Sequence, residues 1–468
     1  MNSKDMQRPQ TTQSRGYPLK EGKETRGSKE VRSMPSALED GRNNVQRYTS
    51  NMLDMIVERE NMRKAYKRVV SNKGSHGIDG MKVDELLPFL NENWIAIKEQ
   101  LLGGKYKPEP VRRVEIPKPD GGIRLLGIPT VLDRLIQQAI AQVLGGVYNH
   151  TFSNSSFGFR PRLGAKDAVL AAQDHINDGY TWVVDIDLEK FFDRVNHDIL
   201  MSKLESRIGD KRVLKLIRRY LESGVLINGL KVSTEEGTPQ GGPLSPLLAN
   251  IMLDELDKEL ENRGHRFCRY ADDCNIYVKS RSAGNRVMAS ISNFIENKLR
   301  LKVNESKSAV DRPWKRKFLG FSFYCSKDGI KIRIHDKSIK RFKEKVREIT
   351  NRNKGISMEY RIYRLNQITT GWVNYFGLAD AKGRMQSLDK WIRRRLRACY
   401  WKQWKKIRTK HANLVQLGTE DSKAWEFANT RKSYWRTSNS PILATTLTIK
   451  YFDNIGYKRL SERYLMIH

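Results

Sequence analysis

The first residues with chemical consequence are two adjacent carboxylates. Arg269-Tyr270-Ala271-Asp272-Asp273-Cys274 is flanked by apolar and β-prone residues, which predicts a hairpin with Asp272 and Asp273 at its tip. Like charges side by side repel, and a divalent cation between them removes that cost. For a bare pair, a solvated Asp-Asp turn is the simpler account. A second stretch changes the balance. Val183-Val-Asp185-Ile-Asp187-Leu-Glu-Lys-Phe191-Phe192-Asp193 sets acids at the end of a buried-looking strand. Two strand ends, one with a lone Asp and one with Asp-Asp, can converge on one point. Three carboxylates there would hold two Mg²⁺ about 4 Å apart, the arrangement of in-line phosphoryl and nucleotidyl transfer. Mg²⁺ favours few carboxylates completed by phosphate oxygens and water. One ion would activate a 3′-hydroxyl and the other would stabilise a pyrophosphate leaving group. Asp185 and Asp187 lie one pleat apart on the same strand face, so periodicity alone leaves open which of them joins the pair.

These acids need a scaffold. Trp182 to Ile186 reads as a short strand, and Phe267 to Val278 as two strands around Ala271-Asp272-Asp273. Val111 to Ile116 and Ile123 to Ile128 read as a strand pair closed by the Pro117–Gly122 turn. Thr130 then opens a helix with Leu135, Ile136, Ala139 and Ile140 on one face. Helical spacing begins at Asn51, breaks in the glycine-rich loop 71–80, and returns from Asp84 to Leu102. Gly242 to Leu260 reads as a long helix, and Phe318 to Tyr324 as a further strand. The pattern predicts an α+β middle region followed by an all-α C-terminal region.

Composition bounds the partners. Lys and Arg number 86 against 53 Asp and Glu, a net charge of +33 over 468 residues. Such a surface calls for an anionic partner, and nucleic acid is the leading one. Residues 331–411 hold 24 Lys and Arg against 6 Asp and Glu, so over half of the excess lies there. That stretch reads as helical, with Trp372, Tyr375, Phe376, Trp391, Tyr400, Trp401 and Trp404 among the cations, mostly as core. Residues 1–48 read as a disordered or weakly ordered polar arm. No apolar run is long enough to span a membrane, and no secretory signal opens the chain. Four Cys without a Cys-x-x-Cys pair argue against a disulfide scaffold or structural zinc and fit a reducing cytoplasm.

Seven blocks in order then carry a resemblance. They are Ile116-Pro-Lys-Pro-Asp-Gly-Gly-Ile-Arg124, Ser156-Phe-Gly-Phe-Arg-Pro161, the Asp187 strand, Gly237-Thr-Pro-Gln-Gly-Gly-Pro-Leu-Ser-Pro246, Tyr270-Ala-Asp-Asp273, Asn304-Glu-Ser-Lys307 and Lys317-Phe-Leu-Gly320. Each is weak alone; together they resemble the bacterial group II intron reverse transcriptase/maturases. The resemblance implies a right-hand polymerase fold: an α+β fingers and palm followed by an all-α thumb/maturase region. It divides the chain into an N-terminal helical extension at 49–105, fingers and palm at 106–330, a thumb/maturase domain at 331–411 and a basic C-terminal segment at 412–468. It implies Asp187, Asp272 and Asp273 as catalytic and metal-binding acids, with two Mg²⁺. Asp187 is preferred to Asp185 because it fits the family spacing to an aromatic five residues on and then Asp193.

By the same resemblance, Phe192 is the bulky gate under the incoming sugar, favouring dNTPs. Lys118 and Arg124 reach the triphosphate, and Gln240 contacts the nucleotide's sugar. Arg160 and Lys307 are phosphate or template contacts. Arg364-Leu-Asn-Gln-Ile-Thr-Thr-Gly-Trp-Val-Asn-Tyr-Phe376 resembles the start of the maturase region, and Arg393, Arg394, Arg395 and Arg397, on or near one helix side, would grip RNA. The expected partners are group II intron RNA, an RNA template with a DNA primer, dNTPs and target DNA, without a membrane. The 57 residues after His411 contain no Cys, so the HNH-type nuclease of many relatives is not expected, and the 113–118 block points to the group IIC type. The rival readings are a splicing-only maturase, against which the intact acids argue, a domesticated reverse transcriptase of repair or antiviral defence, and an RNA polymerase sharing the palm.

Overall fold

Ten strands run in chain order through the described residues: β1 Val111–Pro117, β2 Ile123–Ile128, β3 Trp182–Ile186, β4 Val225–Ile227, β5 Leu230–Val232, β6 Arg266–Tyr270, β7 Asp273–Val278, β8 Ala309–Asp311, β9 Phe321–Ser326 and β10 Gly329–Ile334. The structure is a computed structural model. It describes residues 50–468 apart from 118–120, 228–229, 233–236 and 238–240, and so excludes the N-terminal arm expected at 1–48. The chain divides into two interleaved units. One holds Met1–Pro161, Asp187–Arg263 and Ser290–Glu305; the other holds Arg162–Ile186, Gly264–Ala289 and Ser306–His468. Among the described residues no helix is long and apolar enough to cross a membrane. None of the four cysteines is in a disulfide.

In the first unit the expected hairpin forms, with β1 and β2 antiparallel from Arg112↔Ile128 to Pro117↔Ile123. β4 joins β1 in parallel and β5 closes the order β2-β1-β4-β5. The next helix, Val131–Tyr148, opens where its sequence says it should: the Thr130 hydroxyl accepts from the Asp133 amide at 3.1 Å, satisfying an orphan N–H of the first turn. Its apolar face, including Leu135, Ile136, Ala139, Ile140 and Leu144, is buried. Asp133 is itself buried and ties three segments together. It accepts from the hydroxyls of Tyr106 at 2.8 Å, Tyr220 at 3.1 Å and Thr130 at 2.8 Å, and from the Glu109 amide at 3.2 Å. Burial raises its pKa against the pull of those bonds. The helix expected from Gly242 starts at Ser245, with Pro246 in its first turn. Gly241 has φ +130, and a Cβ there would lie 2.6 Å from the Gly127 carbonyl, so the chain passes too close to β2 for any side chain.

In the second unit the sheet order is β6-β7-β3-β8, every neighbour antiparallel. The two middle strands read as apolar runs because both faces are covered: Val183, Val184 and Ile186 of β3 and Cys274, Ile276, Tyr277 and Val278 of β7 are buried. Helix Ala165–Asn177 packs on β6 and β10.

Two expectations are corrected here. The strand expected from Phe318 begins at Phe321. Leu319 and Gly320 both have positive φ, +50 and +89, and Phe318 and Phe321 exchange amide–carbonyl bonds of 3.0 and 2.8 Å across them. This is a tight hairpin-type turn, not extended chain. The helical reading from Lys331 fails for its first residues. Lys331–Ile334 lie in β10, paired with β9 through Ile332↔Phe323, and the helices begin at Asp336. The shift in composition therefore precedes the shift in secondary structure.

Beyond it the chain is helical: Asp336–Ile349, Met358–Phe376, Lys382–Gln403 and shorter helices to Leu465. Aromatics form its core as expected. Phe342 stacks on Trp372 at 4.3 Å, Trp372 meets Phe376 at 5.0 Å, and Trp401 and Trp404 are buried.

Candidate active site

The catalytic candidates stand on backbone that the local sequence bends sharply. β6 runs into β7 through a turn whose inner residue, Ala271, has φ +58. A non-glycine residue in the left-handed region needs outside support. Arg269 supplies it: its guanidinium is fully buried and donates from Nη1 to the Ala271 carbonyl at 2.9 Å. The bond holds the residue immediately before Asp272. The hairpin thus presents Asp272, half-buried, and Asp273, exposed, as neighbours at its tip.

The strand alongside is registered to that tip. Ile186, the last residue of β3, pairs with Cys274, the second of β7. Asp187 follows Ile186 in the chain and opens the next segment of the first unit. There its carbonyl accepts from the Asn304 amide at 2.8 Å, and Leu188 bridges Val303. The Asn304–Lys307 block thus begins by pinning the backbone of Asp187. Asp185 is committed elsewhere: its carboxylate accepts from Arg316 Nε at 2.8 Å and Nη2 at 2.5 Å. Such a charge-assisted fork makes it a structural acid.

Phe192 lies in a one-turn helix, Phe191–Asp193, entered through Lys190 at φ +48. Phe191 is buried and Phe192 only half so, the two rings meeting edge-on at 5.1 Å. The Phe192–Asp193 backbone packs against Gly237, where a Cβ would fall 2.9 Å from the Phe192 carbonyl. Gly237 is locked in turn. Its amide donates to Val195 at 2.8 Å, and its carbonyl lies 2.6 Å from His197 Nε2.

The other expected contacts fare unevenly. Lys118 and Gln240 lie outside the described residues. Arg124 is exposed on β2 opposite Ile116. Arg160 is already engaged: its guanidinium donates to the carbonyls of Ser153, Ser156 and Asn149 and to the Asn149 side chain, at 2.5–3.1 Å. Lys307 is exposed, and its carbonyl accepts from Arg316 at 2.7 Å.

The arginines of helix Lys382–Gln403 do not share one side. Arg394 turns to the Trp435 carbonyl at 3.1 Å, Arg395 to the Thr350 hydroxyl at 2.5 Å, and Arg397 to the Leu447 carbonyl at 3.0 Å, while Arg393 is half-buried. Thr350 and Leu447 are helix C-caps, and a cation at a helix C-terminus satisfies orphan carbonyls and the negative dipole end. These residues are helix staples before they are ligand contacts.

Three residues of this neighbourhood carried no sequence signal of their role. Two are Arg269 and Arg316. The third is Tyr375, whose hydroxyl donates to the Leu319 carbonyl at 2.9 Å and so braces the 318–321 turn. Burial first, then Tyr270 and Asp273, raises its pKa.

Among the described residues, no three His, Cys, Asp or Glu side chains gather into a metal cage. The donor set still fits a hard cation. Asp272 and Asp273 offer adjacent carboxylate oxygens on a braced tip, and Mg²⁺ takes one or two carboxylates plus substrate phosphates in preference to an all-protein cage.

Known proteins give this arrangement its context. Residues 116–323 match the family described as reverse transcriptase (RNA-dependent DNA polymerase). Residues 339–418 match the group II intron, maturase-specific domain. Protein YkfC of Escherichia coli is 32% identical over 299 residues, 55% of this chain and 78% of YkfC. The group II intron-encoded protein LtrA of Lactococcus lactis is 30% identical over 331 residues, 57% of this chain and 55% of LtrA. A putative COX1/OXI3 intron 2 protein of Saccharomyces cerevisiae is 33% identical over 230 residues, 48% of this chain and 26% of that protein. The chain thus spans about half of LtrA and a quarter of the yeast protein. The mixed sheet-and-helix region with its helical successor is a right-hand polymerase followed by a helical domain, and the family depends on divalent metal. With a reverse transcriptase region running into a maturase-specific one, the chain belongs to the group II intron reverse transcriptase/maturases.

Proposed function

We propose that this chain copies RNA into DNA with Asp187, Asp272 and Asp273 as its catalytic acids, and that it binds group II intron RNA to assist splicing and mobility. The observation that carries the reading is the register of β3 on β7. It sets the strand end that leads into Asp187 level with the Asp-Asp tip held by Arg269. The three carboxylates would hold two Mg²⁺, which when bound supply activation of the primer 3′-hydroxyl and stabilisation of the pyrophosphate. The chain's own residues orient the reactants. Lys118 and Arg124 would grip the triphosphate, the first as a point charge and the second as a fork. Gln240 would meet the sugar, and Phe192 would exclude a 2′-hydroxyl. Arg160 would act on the template indirectly, by stiffening the 149–156 segment it already binds. Lys307 would contact the template or its phosphates.

In this reading 49–105 is an N-terminal extension, 106–330 fingers and palm, 331–411 thumb and maturase, and 412–468 a basic C-terminal segment. Intron RNA, an RNA template with DNA primer, dNTPs and target DNA are the partners, in the bacterial cytoplasm where the intron is transcribed. Arg394 and Arg397 would contribute to the RNA grip through the helices they fasten, and Arg393 as a direct contact.

Primer extension on an RNA template with dNTPs and Mg²⁺ tests the reading. Full-length cDNA is expected from the wild type and none from Asp272→Ala/Asp273→Ala. A folded, RNA-binding wild type that makes no cDNA would overturn the polymerase and leave a splicing-only maturase. In the same assay Phe192→Ala is expected to narrow dNTP-over-NTP preference by about tenfold or more, the scale of a steric pocket's discrimination.

A further inference from the structure

Three stretches distant in sequence bring cations and aromatic rings to one face of the helical region. Helix Asp336–Ile349 and its following loop give Arg352; helix Lys382–Gln403 gives Arg394, Arg395 and Lys402; the short helix Tyr434–Thr437 gives Tyr434 and Trp435. The Arg394 guanidinium lies 4.0 Å from the Trp435 ring centre and that of Arg395 6.0 Å. Arg352 and Lys402 lie 5.4 and 5.1 Å from the Tyr434 ring. Among the described residues, none of these four cations is within ion-pair distance of a carboxylate, and Arg394 Nε has no hydrogen-bond partner.

Two accounts compete. In the bland one, cations merely cover aromatic rings to complete a small helical core. That account fits Trp401, which is buried under Lys410. It fits Trp435 poorly. That indole is 36% exposed although a guanidinium already covers part of it, and Arg431, Lys432 and Arg436 flank it in solvent. An exposed ring among unneutralised cations suits a ligand with flat apolar faces and regular negative charge. Duplex hides its base faces and offers only phosphate and sugar. An unpaired strand offers both, since bases stack on aromatics while phosphates meet the cations.

We propose that Tyr434 and Trp435, with Arg352, Arg394 and Lys402, form a stacking platform for an unpaired stretch of polynucleotide. The inference rests on reading the basic helical region as nucleic-acid-binding, and it is independent of the polymerase acids. RNA and single-stranded DNA share the chemistry, so both serve as probes.

Fluorescence anisotropy with a labelled uridine 12-mer, a thymidine 12-mer and a blunt RNA duplex tests it on the full chain. Trp435→Ala is expected to weaken binding of at least one single strand about tenfold, within the range for loss of one base–aromatic stack, and to change duplex binding less than twofold. Trp435→Phe should bind single strands within a few-fold of wild type. Arg352→Gln, which removes an exposed cation of the 350–357 loop beside the Tyr434 ring, should weaken single-strand binding and change duplex binding less than twofold. Asp272→Ala/Asp273→Ala should bind all three probes as wild type does, so failure of the polymerase reading leaves this test intact. Loss of one single strand only assigns the platform to RNA or to DNA. Equal binding of both single strands by Trp435→Ala and wild type, or parallel loss of single strand and duplex in Trp435→Ala and Arg352→Gln, would overturn the platform.

Discussion

Arg269 is a fully buried cation that donates to the carbonyl of Ala271, the residue just before Asp272. On the proposed reading it is a positioning residue, acting on Asp272 through the backbone before it. Arg269→Lys keeps the charge but loses the planar fork. It is expected to lower kcat about ten- to a hundredfold, with a higher Mg²⁺ concentration for half-maximal rate and little change in primer–template affinity. Steady-state kinetics over a Mg²⁺ titration checks this, and an unchanged Mg²⁺ requirement would make Arg269 purely structural. The Asp185–Arg316 fork predicts a different phenotype. Arg316→Gln leaves a mostly buried carboxylate without its main donor, which costs about 1–3 kcal/mol. A lower urea midpoint with unchanged slope is the expected result.

Elements were legible in proportion to how local their signals are. The β1–β2 and β6–β7 hairpins, the Thr130 cap and the aromatic helical core could be read directly, because alternation, turns and caps are written within a few residues. The parallel β1–β4 pairing could not, nor the Arg316–Asp185 contact across 131 positions, since neither partner's neighbourhood mentions the other. The arginine row of helix Lys382–Gln403 misled for a related reason: charge was visible, but the carbonyls awaiting it belong to other helices. The site followed the same rule. Asp272 and Asp273 stand out in the sequence as an adjacent pair, Asp187 is preferred to Asp185 only through the family resemblance, and Arg269, Arg316 and Tyr375, which brace this neighbourhood, carry no local signal.

Helix ends also fasten the C-terminal segment. Buried Asp389 accepts from the Tyr457 hydroxyl at 3.1 Å and from the Leu460 and Ser461 amides at 3.0 and 2.9 Å, capping helix Leu460–Leu465 from a distance. Asp389→Ala should destabilise this region by about 2–4 kcal/mol, several charge-assisted bonds being lost together. Hydrogen exchange should show the loss concentrated in residues 457–465. At the braced turn, Gly320→Ala forces a side chain into positive φ and to 3.2 Å from the Phe376 ring, at a cost of about 1–2 kcal/mol read from thermal unfolding.

On the scale of the whole molecule, the excess charge of +33 makes association with RNA salt-sensitive. Affinity for structured RNA should fall about a thousandfold or more between 50 and 200 mM monovalent salt if six or more phosphates are contacted. Anisotropy at stepped ionic strength gives the slope, and a shallow one would mean that few of these cations meet phosphate.

The interleaving of the two units bears on how the protein is made. The chain passes from one unit to the other after Pro161, Ile186, Arg263, Ala289 and Glu305. β3, the strand that leads to Asp187, leaves the ribosome first, yet its partners are β7 and β8, the latter ending about 125 residues later at Asp311. At synthesis rates of about 5–20 residues per second, that apolar strand waits roughly 5–18 s for β7 and roughly 6–25 s for β8 to cover its second edge. Over that interval, about a quarter of the chain, the nascent protein is expected to expose an unpaired apolar strand, and a ribosome halted before residue 311 would carry an open sheet edge, not half an enzyme.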